Sequence, residues 1–151
     1  MCLLNELLKQ NFIIMSLKGN NKEEILRELT DRFYEKGLIE DKNSLFNTLI
    51  ERENIATTGL GRHVGLPHAR TNAVSKLHLV FARSEKGVDF KSLDKKKVFL
   101  FFLFVGPDDK NEEYIKILAK LSRLIRIKEV RESLISAKNE DEVLDIIKNN
   151  E

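Results

Sequence analysis

Cysteine is nearly missing from this 151-residue chain: there is one, Cys2, beside the start methionine. An intramolecular disulfide is therefore excluded, and the usage fits a reducing compartment. Proline occurs twice, at Pro67 and Pro107, and glycine seven times, so no Pro- or Gly-rich linker divides the chain. No internal repeat is visible. Neither sign of charge is in excess: 26 Lys and Arg against 24 Asp and Glu leave a net charge of +2. A dedicated nucleic-acid binder carries a clear basic surplus. The run Lys95-Lys96-Lys97 reads instead as a solvated turn, and no nucleic-acid partner is expected. Long apolar stretches are lacking too. The longest, residues 98–105, falls well short of the roughly 20 residues a membrane-spanning helix needs. Asn5, Glu6, Lys9, Gln10 and Asn11 interrupt the apolar start, so no secretory leader is expected. These exclusions leave a cytoplasmic protein.

What is present is globular: 42% of residues are apolar and 33% charged. One domain over 1–151 is the expectation. A chain of this size buries about 68–70% of its unfolded surface, enough for a real core. Apolar spacing predicts a short helix over 3–9 and Ile- and Phe-rich composition a strand over 12–17. Asn20 or Asn21 caps a helix with the stripe Ile25, Leu26, Leu29, Phe33, ended by Gly37. Asp41 opens another, with Leu45, Phe46, Leu49 and Ile50 inward. Strands are predicted over 76–83 and 97–105, the second apolar throughout, as in a strand buried on both faces. Asp108 or Asp109 is expected to cap a long helix with Ile115, Leu118, Ala119, Leu121, Ser122 and Ile125 inward. A shorter helix follows near 128–137, and Asn139 with Glu142 starts the last one. Uneven alternation of this kind predicts an α/β (α+β) fold, a mixed sheet flanked by helices.

Periodicity breaks between residues 54 and 70, which reads as a loop. Chemistry concentrates there, in Thr57-Thr58-Gly59-Leu60-Gly61-Arg62-His63-Val64-Gly65-Leu66-Pro67-His68-Ala69-Arg70. Gly59, Gly61 and Gly65 let the backbone bend and expose amides that can hold an anion. Pro67 fixes its own backbone and holds Leu66 extended, a stiff mount for His68. Arg52, Arg62 and Arg70 bring positive charge to the same region. Neutral imidazole is a nucleophile, and phosphoryl transfer needs mainly positioning and charge stabilisation, so His68 is a candidate phosphoryl acceptor without a metal. A structural histidine beside a turn is the competing reading. His63 reads as a loop surface residue and His78 as a satisfied histidine in an apolar strand. Neither HExxH nor CxxC spacing supports a metal site, and the glycines do not match a nucleotide-binding loop, so no cofactor or metal is expected.

The segments Glu51-Arg52-Glu53, Thr58-Gly59-Leu60-Gly61 and Gly65-Leu66-Pro67-His68-Ala69-Arg70 resemble the hallmark of the enzyme IIA domains of the fructose/mannitol class. That class belongs to the bacterial phosphoenolpyruvate-dependent sugar phosphotransferase system and includes nitrogen-regulatory IIA proteins. The Val88-Asp89-Phe90 and Leu93-Asp94 turn, the strand ending in Pro107 and the stretch from Leu118 to Leu124 extend the resemblance over essentially the whole chain. The resemblance implies a mixed β-sheet flanked by helices. It implies that His68 takes a phosphoryl group from the histidine phosphocarrier protein and passes it to a IIB domain, serving sugar uptake. Arg52 is then the nearby arginine that neutralises phosphoryl oxygens, with Thr58, Gly59, Gly61 and Pro67 in support.

One departure stands out. Members commonly carry a second active-site histidine in an acidic-acidic-His-Leu pattern, and here the stretch is Glu112-Glu113-Tyr114-Ile115. Tyr114 has no imidazole, though its hydroxyl can donate a hydrogen bond. Transfer survives with Tyr114, is slower, or has given way to partner binding alone; His63 is a candidate to compensate. The rival function is a regulatory IIA protein that binds target proteins according to its phosphorylation state. Either way a membrane is involved only indirectly, through a transporter component.

Overall fold

The computed structural model describes residues 4–151; Cys2 and the expected helix start at Leu3 lie outside the described residues. In chain order the elements are α1 (Leu4–Lys9), β1 (Ile13–Ile14), α2 (Lys22–Glu35), α3 (Lys42–Ile55), β2 (Gly59–Gly61), β3 (Val64–Gly65), β4 (His68–Arg70), β5 (His78–Val88), β6 (Val98–Gly106), α4 (Asn111–Ile125), α5 (Lys128–Ser136) and α6 (Glu140–Asn150). Short polar side chains start three of the helices, where backbone amides lack partners. Asn21 accepts from the Glu24 amide, Asp41 from those of Asn43 and Ser44, and Asn139 from that of Glu142.

The sheet runs β1-β5-β6-β3-β2, and β4 continues along the same edge of β6 as β3. β5 and β6 are antiparallel, whereas β1 on β5 and both β3 and β4 on β6 are parallel. This is the mixed α/β sheet expected. Strand alternation then builds two cores. Leu79, Phe81, Leu100, Phe102 and Phe104 pack with residues of α1, α4, α5 and α6. Val80, Ala82, Phe101, Leu103 and Val105 pack with residues of α2 and α3. β6 is buried along nearly its whole length because both faces are covered.

Three expectations need correction. Residues 54–70 are not a plain loop: Asn54 and Ile55 complete α3, and three short strands follow. β3 and β4 get their partner from distant β6, and β2 pairs with β3, in strands of two or three residues that show no local periodicity. Asp108 and Asp109 do not cap the long helix. They form a 3₁₀ turn, Asp108–Lys110, ahead of α4. The inward face of α4 is also rotated: Tyr114, Ile117, Leu121, Leu124 and Ile125 are buried, while Ala119 is exposed and Ile115 is 53% exposed. The Tyr114 ring stacks against Phe104, centroids 4.7 Å apart, and that contact sets the helix's rotation.

His78 behaves as a satisfied core histidine. It is buried, with Nδ1 2.6 Å from Asn11 Oδ1 and the ring edge-on to Phe33. Burial, aided by Lys76, pushes its pKa down to about 4. The folded state therefore disfavours the imidazolium, and the unfolded chain binds the proton more readily. Stability falls as pH drops from about 6.5 towards 4, by ~2 kcal/mol after allowance for solvent screening. Urea midpoints at pH 7 and pH 4.5 check this: the loss should be smaller in His78→Gln than in the unaltered chain.

Candidate functional site

His68 opens β4, and its position follows from the residues before it. The Phe104 amide donates to the Pro67 carbonyl over 3.1 Å, fixing the turn onto β6. His68 Nδ1 lies 2.8 Å from the Leu66 carbonyl oxygen. A carbonyl only accepts, so Nδ1 carries the hydrogen and Nε2 keeps its lone pair. Burial lowers the pKa of His68; the Leu66 carbonyl opposes this, Arg52 reinforces it and Glu53 opposes it. The net result is a neutral ring at physiological pH, with its nucleophilic nitrogen defined by the backbone.

His68 lines a cavity of about 470 Å³ with Thr48, Glu51, Arg52, Ile55, Ala69, Arg70, Tyr114 and Leu118. α3 supplies one wall and α4 another, at the edge where β4 ends the sheet. Arg52 sits in the last turn of α3, and its Nη1 donates to the Ala56 carbonyl at 2.8 Å. That bond anchors one end of a guanidinium with five donors. Tyr114 is buried, and its phenol is pushed up to about 12, chiefly by burial, with Arg70 and Arg52 pulling it down. Its hydroxyl stays a donor at any physiological pH. A neutral imidazole, two guanidinium groups and a phenol facing one cavity suit the binding and transfer of a small dianion.

Of the residues expected at the site, His68, Arg52 and Tyr114 are brought together, and Pro67 mounts His68. Thr58, Gly59, Gly61 and His63 do not line the cavity. Buried Thr58 is tied to the Glu53 carboxylate through its amide, at 3.0 Å, and through its hydroxyl. Glu53 also accepts from Lys22 Nζ at 2.8 Å. Together these bonds clamp the end of α3 to the start of the glycine-rich segment. At Gly59 a Cβ would come within 2.5 Å of Ser92 Oγ, so this glycine admits close packing rather than cradling an anion. Its amide is already given to Thr57 Oγ1. Gly61 takes φ +98° at the β2–β3 turn, facing Asp94.

His63 is held elsewhere, Nδ1 2.8 Å from the Lys97 carbonyl and ring edge-on to Phe99. The Phe99 and Leu100 amides bond to its carbonyl, whereas His68 is in register with Phe104. Five residues along a strand is roughly 16 Å, so His63 does not compensate at the site. Arg70, read from the sequence as one of three arginines bringing positive charge to the region and without a role of its own, lines the cavity. The available signal was its place two residues after His68, which on a strand puts both on one face. Among the described residues, no group of three or more His, Cys, Asp or Glu is arranged to hold a metal ion. No described helix is long and apolar enough to cross a membrane.

A relative from Haloferax volcanii, named PTS system fructose-specific EIIA component, is 39% identical over 126 residues, covering 83% of this chain and 82% of its own. A nitrogen regulatory protein from Bradyrhizobium diazoefficiens is 28% identical over 144 residues, 95% of this chain and 94% of its own. The crystal structure of nitrogen regulatory protein IIA-Ntr from Neisseria meningitidis superposes with a TM-score of 0.88 at 28% identity, covering 95% of this chain and 98% of that one. The sequence model for "Phosphoenolpyruvate-dependent sugar phosphotransferase system, EIIA 2" matches residues 6–150, and the chain belongs to that family.

Proposed function

We propose that His68 accepts a phosphoryl group from a histidine phosphocarrier protein and hands it to a IIB domain. The observation that carries this reading is the His68 ring itself. Its Nδ1–H is given to the Leu66 carbonyl, which leaves Nε2 as the lone-pair nitrogen, and the residue lines a cavity with Arg52. In the transfer, Nε2 attacks phosphorus in line as the nitrogen–phosphorus bond to the carrier's histidine breaks. The carrier's ring leaves with the bonding pair. Positive charge grows on the His68 ring, and the Leu66 carbonyl stabilises it through Nδ1–H. Arg52 neutralises the phosphoryl oxygens, and the Tyr114 hydroxyl is a further donor. No metal is needed for the step. Exposed Ile55 and half-buried Leu118, which both line the cavity, give it an apolar rim on which a carrier or IIB domain can sit.

The test is intact-mass spectrometry near neutral pH, because phosphohistidine hydrolyses in acid. The chain is incubated with phosphoenolpyruvate, enzyme I and the phosphocarrier. A gain of one phosphoryl group is expected. No gain, with the upstream proteins shown active on another acceptor, overturns the reading.

The nitrogen-regulatory reading is favoured by one observation: likeness to IIA-Ntr extends over nearly the whole of both chains. On that reading the output is binding of target proteins in one phosphorylation state. Pull-downs with the unphosphorylated chain and the phosphorylated chain should then recover different partners. Identical partners would argue against phosphorylation control.

A further inference from the structure

We infer that Arg70, seated on the ring of Tyr114, provides the second positive contact to the phosphoryl group in transfer. The inference rests on the reading of His68 as acceptor and adds a group to that site.

Four observations lead to it. Arg70 and His68 lie on one face of β4, in register with Gly106 and Phe104 of β6. Both line the same cavity. The Arg70 guanidinium carbon stands 4.7 Å from the centroid of the Tyr114 ring, within the range of a cation–π contact. Among the described residues, Arg70 makes no salt bridge with any carboxylate, and no side-chain hydrogen bond holds its guanidinium. Its five donors are therefore uncommitted in the cavity that His68 also lines. Arg52 differs, since Ala56 already takes one of its donors.

The Tyr114 ring is itself fixed. It is buried and stacked on Phe104, and a Cβ added at Gly106 would come within 3.0 Å of Tyr114 Cδ2. A fixed aromatic face under a guanidinium restrains the long side chain, so less freedom is lost when it meets the phosphoryl oxygens. Tyr114 thus acts through its face as a positioning residue, and Arg70 through its charge. The step's balance is unchanged: one nitrogen–phosphorus bond forms as another breaks, and Arg70 gives up no proton. The charged and titratable groups facing this pair are Glu51 and Arg52 from α3 and His68 from β4. Glu51 is the one carboxylate among them, and no salt bridge joins it to Arg70.

The experiment is a single-turnover time course of phosphoryl uptake from phosphorylated carrier at several carrier concentrations and pH values. His68→Ala and the unaltered chain serve as references. Arg70→Met keeps an unbranched stem over the ring and removes the charge; Arg70→Ala removes both. Each is expected to slow the transfer step about 10- to 100-fold, with the carrier concentration for half-maximal rate little changed. Tyr114→Leu, which removes the platform, should slow it comparably, and Tyr114→Phe should lose much less. The His68 ring is kept neutral by burial and Arg52, and the Tyr114 phenol is pushed up to about 12, so loss of Arg70 or Tyr114 lowers the rate without moving its pH dependence. Tyr114→His should add a new ionisation to the profile and restore part of the rate lost in Arg70→Ala.

Arg70→Met and Arg70→Ala within twofold of the unaltered rate would overturn the inference, while leaving His68 as acceptor. Losing as much in Tyr114→Phe as in Tyr114→Leu would return the role to the hydroxyl and overturn it too. If the unaltered chain takes up nothing, the acceptor reading and this one fall together.

Discussion

A His68→Ala variant should take up no phosphoryl group under conditions where the unaltered chain gains one. Among the described residues lining the cavity, the imidazole is the one neutral nitrogen nucleophile; the others are two guanidinium ions, a carboxylate, a hydroxyl, a phenol and aliphatic carbon. The phenol stays protonated far above neutral pH, so Tyr114 does not replace His68 as a nucleophile. His63 lies about five strand residues away and is tied to the Lys97 carbonyl. The variant should fold, because His68 is only half-buried and the bond lost, from Nδ1 to Leu66, contributes about 1 kcal/mol. The check is an intact mass at mildly basic pH beside an unchanged melting curve. Undiminished labelling of a folded His68→Ala chain would remove this residue from the chemistry.

Arg52→Ala should cut the transfer rate roughly 10²–10³-fold, the usual effect of deleting one preorganised charge from a transferring group, or about 3–4 kcal/mol. Arg52 is the one arginine whose charge reaches the His68 ring strongly enough to help keep it neutral. Its removal therefore acts twice: it takes a partner from the phosphoryl oxygens and it allows His68 to protonate at a somewhat higher pH. The pH below which uptake fails should rise in Arg52→Ala, because a protonated ring has no lone pair at Nε2. Arg52→Lys should recover part of the rate, since a lysine restores charge without the fork geometry. Stability should fall by only about 1 kcal/mol, for the bond to Ala56. Stopped time courses across pH 5–8 read both effects. A rate loss under threefold would remove Arg52 from the transfer step.

Much of this was legible from residue order. The side-chain caps at Asn21, Asp41 and Asn139 are local signals, readable because a helix start involves four consecutive residues. The Pro67-His68 turn was legible for the same reason: proline's restriction acts on its immediate neighbour. β2, β3 and β4 were not, since strands of two or three residues are too short to show alternation. The pairing of β3 and β4 is set by β6, more than thirty residues on, with His68 opposite Phe104. α4 misled for a different reason. Ile115 is apolar and was expected inside, but stacking of Tyr114 on Phe104 turns that side of the helix outward. The charge of Arg70 beside the Pro67-His68 turn was legible, but its seat on Tyr114 was not, because that ring comes from another element.

The clamp formed by Lys22, Glu53 and Thr58 has a consequence for how the protein meets its surroundings. Arg52 is followed by Glu53, whose buried carboxylate ties the end of α3 to Lys22 of α2 and to Thr58. The Glu53 side chain is only 2% accessible, so dissolved ions screen this pair weakly. Charges at the cavity mouth and on the partner's surface are screened fully. Ionic strength should then separate two quantities usually measured as one: encounter with a charged partner weakens as salt rises, while the alignment of acceptor and arginine persists. In a cell with changing salt content, flux through this protein would be tuned by how often partners meet, not by how well the chemistry proceeds once they have.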